Sequence, residues 1–227
     1  MIERRGLLLG AGVLLVGSGL GLSACNQSGG SAGGGTSGGS ASQPDDLAIG
    51  PANASVTLIE YASLACPHCQ EFERDVWPRL KQNYIDTGKI RFIMREFPTA
   101  APPDIVLAEF QVARCNATPE QYYTRVSALF AQRDTIFSSD ATRESIRDKL
   151  VQFGAAAGLS QDQIIACIGD EAGAARFQRV TDNATKQFNI SGTPTFILNG
   201  TKVEDPTAVT YEGMSKILDA AIAAAHH

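Results

Sequence analysis

The stretch SLACPHCQEF, Ser63 to Phe72, places two cysteines two residues apart with a proline and a histidine between them. Such a pair can be a local structural disulfide, half of a metal site, or a redox centre. The flanking residues separate these readings. Ahead of the pair, SVTLIEYAS, Ser55 to Ser63, is β-branched and aromatic with a single acid, Glu60, and predicts a buried strand. Behind it, Pro67 suits the first position of a helix, which sets Cys66 at the N-cap. Phe72, Val76, Leu80 and Tyr84 then recur every four residues as an apolar face. Pro78 predicts a break within that helix and Gly88 its end. KIRFIMREFP, Lys89 to Pro98, reads as a second strand. The cysteine pair therefore opens the helix of a strand–helix–strand unit.

That placement has chemical consequences. A structural zinc site needs four ligands, and this chain has one CxxC with its other cysteines far away, so no metal is expected, nor any cofactor. A simple staple explains neither the strand–helix–strand setting nor the Pro-His spacer. A CxxC in this setting reads as a thioredoxin-like redox motif. A helix N-terminus points unpaired N–H groups and the positive end of the helix dipole at Cys66. That favours the thiolate, which is the attacking species. Cys69, one turn on, can close a disulfide with little motion, and His68 adds a donor or a positive charge beside Cys66. Stabilising the reduced form makes the disulfide a stronger oxidant.

The rest of the 227 residues supplies the frame. After Ala100-Ala101-Pro102-Pro103 the pattern is helical to about Gly173, and we read 103–173 as an all-helical insertion. TPTFIL, Thr193 to Leu198, is a strand, and Asn199-Gly200 signals a tight hairpin to Thr201–Val203. Tyr211 to about Ala225 is a final helix, with His226 and His227 as its frayed end. The expectation is an α/β fold built from 48–102 and 174–227 around the insertion. Residues 1–24, with Arg4 and Arg5 ahead of an apolar run, read as an export signal. Leu22-Ser23-Ala24-Cys25 resembles a bacterial lipobox, with Cys25 lipidated, and 25–47 is a Gly/Ser-rich tether. With a net charge of −5 and no basic stripe, nucleic-acid binding has no electrostatic support.

Assigning one of the five cysteines, Cys25, to lipid leaves four, which can pair in three ways. A local Cys66–Cys69 bond forces Cys115 with Cys167 if all four pair. An exported protein meets an oxidising compartment, which permits both.

EYASLACPHC, Glu60 to Cys69, together with Gly192-Thr193-Pro194-Thr195-Phe196 and the helical block between, resembles the DsbA family of thiol–disulfide oxidoreductases. The resemblance implies a thioredoxin-like fold with an inserted helical subdomain. It implies that Cys66 is the exposed nucleophile, Cys69 the buried resolving cysteine and His68 a stabiliser of the thiolate. Pro194 resembles the family's cis-proline, and Thr193 would offer backbone groups to a bound peptide. Glu60 matches a buried acid that transfers protons or tunes Cys69, against which stands a paired acid at a strand edge. Cys115–Cys167 is read as a structural staple rather than a second redox pair. The partners implied are reduced, unfolded exported proteins and a membrane oxidase that restores the disulfide, acting on a lipid-anchored monomer. Isomerase or reductase activity is the alternative within the class, since Thr193 occurs in both kinds of relative. A copper or peptide chaperone is the alternative outside it, although only three methionines occur, one of them Met1.

Overall fold

The computed structural model describes residues 42–43 and 45–225. Its centre is the strand predicted ahead of the cysteines, β2 (Thr57–Ala62), with all six residues buried. It pairs in parallel with β3 (Arg91–Glu96) and antiparallel with β4 (Thr195–Leu198). A two-residue strand, β1 (Ala48–Ile49), and β5 (Thr201–Lys202) complete the order β1-β3-β2-β4-β5. Burial of both faces explains why β2 reads as a nearly continuous apolar run. Leu58 and Ala62 face a core with Phe72, Leu80, Met214 and Leu218, while Ile59 and Tyr61 face a second core with Val180 and Ala184. The β4–β5 turn uses Asn199 at φ +47° and Gly200 at φ +84°, the conformation that the Asn-Gly pair favours.

Helix α1 (Pro67–Asp75) begins at the predicted cap, Cys66. It ends at Val76, before α2 (Trp77–Leu80) and one wide π-type turn, Lys81–Ile85. Pro78 has no N–H to continue the ladder, so the break falls just ahead of it. The helical block comprises α3 (Pro103–Arg114), α4 (Pro119–Ile136), α5 (Arg143–Ala156) and α6 (Gln161–Ile168). Thr118, Thr142 and Ser160 start the last three with reciprocal capping boxes. The last helix, α8 (Tyr211–Ala225), packs beside α2 and the turn after it, and its Asp219 accepts a bond from the Tyr84 hydroxyl at 2.9 Å.

Two boundaries differ from the sequence reading. Residue 173 falls inside the first turn of α7 (Glu171–Phe188), an 18-residue helix that the sequence reading left unassigned. Asp170 caps it, and its Phe177, Val180 and Ala184 are buried, so a cap followed by helical spacing was there to be read. Val180 and Ala184 cover one face of the sheet. At the other boundary, the last residues of the expected tether are docked. Asp46 forms a buried ion pair with Arg95 at 2.8 Å, and Leu47 accepts a bond from the Tyr123 hydroxyl. The Gly/Ser composition stops short of these residues, and their partners come from distant segments.

The far end of β3 is tied by Glu96, which is fully buried between Arg114 at 2.6 Å and Arg176 at 2.7 Å. Burial alone would raise its pKa, but the two guanidiniums win and hold it at about 2. Among the described residues, no helix is long and apolar enough to cross a membrane. The expected leader, the lipidation position Cys25 and the His226-His227 end lie outside the described residues.

Candidate active site

Cys66 occupies the N-cap of α1 with extended backbone (φ −81°, ψ 124°), and Pro67 follows at the first helical position. Cys69 lies on the buried face of the same first turn. Both cysteines are free thiols in this structure. The expected exposed nucleophile is itself nearly covered: Cys66 is 5% exposed and Cys69 0%. The cover comes from the far end of the chain. Thr193 and Pro194 are joined by a cis peptide, and the Thr193 carbonyl oxygen accepts a bond from the Cys66 thiol at 3.3 Å. The family resemblance implied exposure, but the segment ahead of β4 folds back over the helix start.

The two sulfurs are driven in opposite directions. The Cys66 pKa falls to about 5, first through donation from the Cys69 thiol, against desolvation, and then through the Thr193 side chain and the backbone N–H groups of Cys69 and His68. Burial pushes Cys69 well above the ordinary thiol range, helped by its donation to Cys66 and by the nearby Glu60. In a reduced pair of this kind, Cys66 carries the negative charge and Cys69 carries the proton.

His68 meets Cys66 through its backbone rather than its ring. Its imidazole is exposed and turned to Glu71, with Nδ1 3.0 Å from Oε2. That contact, then the Cys66 charge, raises the His68 pKa. Its hydrogen bond to the Cys66 sulfur comes from the backbone N–H.

Glu60 is not an edge acid with a partner. It sits on the central strand, 1% exposed, and its Oε2 has no hydrogen-bond partner among the described residues. Desolvation, then Glu73, then Cys66 push its pKa well up. Glu73 is a site residue that sequence reading missed. It lies four residues after Cys69 on the same face of α1, 8% exposed, and accepts a short hydrogen bond from the Ser127 hydroxyl of α4. Desolvation outweighs that bond and raises its pKa to about 7. An acid among Cys69, Phe72 and Val76 on an apolar helix face was the available signal.

The neighbourhood is pinned from several segments. The Ser63 hydroxyl donates to the Thr99 carbonyl at 2.8 Å, and the Thr99 and Thr193 hydroxyls are hydrogen-bonded to each other. A groove of about 350 Å³ beside the site is lined by His68, Glu71, Phe72, Asp75, Thr193, Pro194 and Val209. Val209 is 48% exposed there. Cys115 and Cys167 form a disulfide that joins the end of α3 to α6. Among the described residues, no group of three or more His, Cys, Asp or Glu side chains could hold a metal ion.

Together, a five-stranded sheet, a CxxC at a helix start and a cis-proline segment facing it define a thioredoxin fold carrying a helical insertion. The chain belongs to the thioredoxin family, whose model matches residues 42–220. A Rickettsia prowazekii protein named as a protein-disulfide oxidoreductase is 29% identical over 178 residues, covering 78% of this chain and 62% of that protein. The chain thus spans less than two thirds of the length of the curated relatives it matches first. Among solved structures, alpha-DsbA1 of Wolbachia pipientis is 27% identical with a TM-score of 0.70, covering 81% of this chain and 94% of that one. BdbD of Bacillus subtilis, 19% identical with a TM-score of 0.68 over 82% and 97% of the two chains, shares the fold.

Proposed function

We propose that this protein is a thiol–disulfide oxidoreductase that introduces disulfides into exported proteins. The observation that carries the proposal is the opposed chemistry of the pair: Cys66 lowered to about 5 and Cys69 raised, one helical turn apart. A substrate thiolate attacks Sγ of Cys66 in the Cys66–Cys69 disulfide. That bond breaks, Cys69 departs with the electron pair and takes up a proton, and a mixed disulfide joins Cys66 to substrate. A second substrate thiolate then attacks the substrate sulfur of the mixed disulfide and expels Cys66 as a thiolate. Two electrons pass to the enzyme, and the substrate gains one disulfide. The stability of the Cys66 thiolate makes it a good leaving group and its disulfide a strong oxidant.

Glu60, beside Cys69, is the group that gives and takes that proton. Pro194 and the backbone of Thr193 line the position where a substrate strand lies against Cys66. A membrane oxidase restores the disulfide. Cys25 carries a lipid that anchors the exported domain through the Gly/Ser tether, and Cys115–Cys167 is structural. Oxidised protein mixed with a reduced, unfolded test protein should form its disulfides, and Cys66→Ser should abolish this. An equilibrium constant with glutathione as reducing as that of a thioredoxin overturns the oxidase direction in favour of a reductase. Redox-silent protein that instead binds cuprous ion through Cys66 and Cys69 overturns the enzyme reading. Loss of membrane attachment in Cys25→Ser tests the anchor.

A further inference from the structure

The turn that carries Cys66 is gripped from outside the thioredoxin half of the molecule. Arg133, near the end of α4, donates its Nε–H to the carbonyl oxygen of Ala65 at 2.7 Å. The carbon of that carbonyl is bonded to the backbone nitrogen of Cys66. Ala65 is 1% exposed and the Arg133 side chain 17%, so the bond is largely withdrawn from water. One turn earlier on α4, the Phe130 carbonyl accepts a bond from the Gln70 side chain of α1 at 3.0 Å. The insertion thus holds the residue before the nucleophile and the first turn after it.

Two acids flank the guanidinium, and neither cancels it. Asp134 accepts from Nη1 at 2.8 Å but is 77% exposed, where water screens it. Glu109 of α3 is 1% exposed with both carboxylate oxygens lacking hydrogen-bond partners. Burial, opposed only in part by Arg133, pushes its pKa well up and disfavours the charged form.

We propose that Arg133 is a positioning residue for the nucleophile: its charge, delivered through the Ala65 carbonyl, orients the Cys66 turn and favours negative charge on the Cys66 sulfur. The helical insertion would then act on the reacting sulfur as well as on substrate shape. The proposal rests on the redox reading of Cys66, but its test needs no substrate. A cation hydrogen-bonded to the carbonyl that adjoins the Cys66 nitrogen is worth a shift at the sulfur of about half a pKa unit to one unit.

The test uses the reduced full chain and its Arg133→Gln, Arg133→Lys and Glu109→Gln variants. Thiolate absorbance against pH gives the Cys66 midpoint, and glutathione titration gives the redox equilibrium. Arg133→Gln should raise the midpoint by that amount and make the disulfide about three- to tenfold less oxidising. Arg133→Lys, which keeps the charge, should recover most of both, and Glu109→Gln should change neither. A lower Tm in Arg133→Gln with an unmoved midpoint overturns the proposal and leaves a merely structural tie. Should Arg133→Gln not fold, the wild-type protein decides. The Arg133 Nε–H resonance must titrate with the Cys66 midpoint, and an Nε–H signal indifferent to it is equally fatal. Failure of the protein to oxidise any substrate would sink the proposed function while leaving this coupling intact.

Discussion

Replacing Cys69 with alanine removes the largest stabiliser of the Cys66 thiolate and leaves the helix start in place. The Cys69 thiol is the first cause of the fall of Cys66 to about 5. Hydrogen bonds to charged groups are worth about 1.5–3 kcal/mol, and one pKa unit corresponds to about 1.4 kcal/mol. Loss of this bond should therefore raise the Cys66 midpoint by about one to two units, to roughly 6–7. The remaining depression below the free-thiol value belongs to Thr193 and to the backbone N–H groups of Cys69 and His68, which the substitution keeps. At neutral pH the thiolate fraction should fall from about 99% to between one half and nine tenths, by the definition of the pKa. Far-ultraviolet thiolate absorbance against pH measures this, and the rate of iodoacetamide alkylation checks it independently. Cys69→Ser, which retains an O–H donor, should shift less. An unmoved midpoint in Cys69→Ala would refute the assigned hydrogen bond. A midpoint at the free-thiol value of about 8.5 would refute any contribution from the helix start.

Glu73 gives the reduced protein a specific pH dependence. Its folded pKa of about 7 lies above the unfolded value of 4.5, so its stability contribution is complete below 4.5 and is lost as pH rises toward 7. The loss should be about 3 kcal/mol, and urea unfolding on either side of that window should show it in wild type and not in Glu73→Gln. The second disulfide spans 52 residues of sequence. Replacing Cys115 and Cys167 together by serine should cost about 4 kcal/mol on the chain-entropy account, with the Cys66 midpoint unchanged. A shifted midpoint in that double variant would show that the pair acts on the active site rather than only on stability.

Much of the site was legible because its parts are local. The cap at Cys66, the proline after it and the break near Pro78 follow from residues within a turn or two of one another. The Asn199-Gly200 turn needs only two residues that tolerate positive φ. What escaped reading was set by distant contacts. Helix α7 has a cap and an apolar stripe, yet its place against the sheet depends on Ile59 and Tyr61, more than 100 residues earlier. Glu60 could be read as an acid in a buried strand, and the resemblance implied a buried acid, but its place on the central strand could not be read, since strand order lies outside any single segment.

By itself, then, the sequence determined that a redox-capable cysteine pair starts a helix between two strands, because backbone propensity and cysteine spacing are properties of neighbouring residues. The tertiary structure decided how the two sulfurs divide the charge. It brought Thr193 over Cys66 from 127 residues away, buried Cys69 beside Glu60, turned the His68 ring to Glu71, and set Arg133 behind Ala65. Desolvation and charge pairing are sums over everything within a few ångströms, and chain order does not reveal which segments those will be.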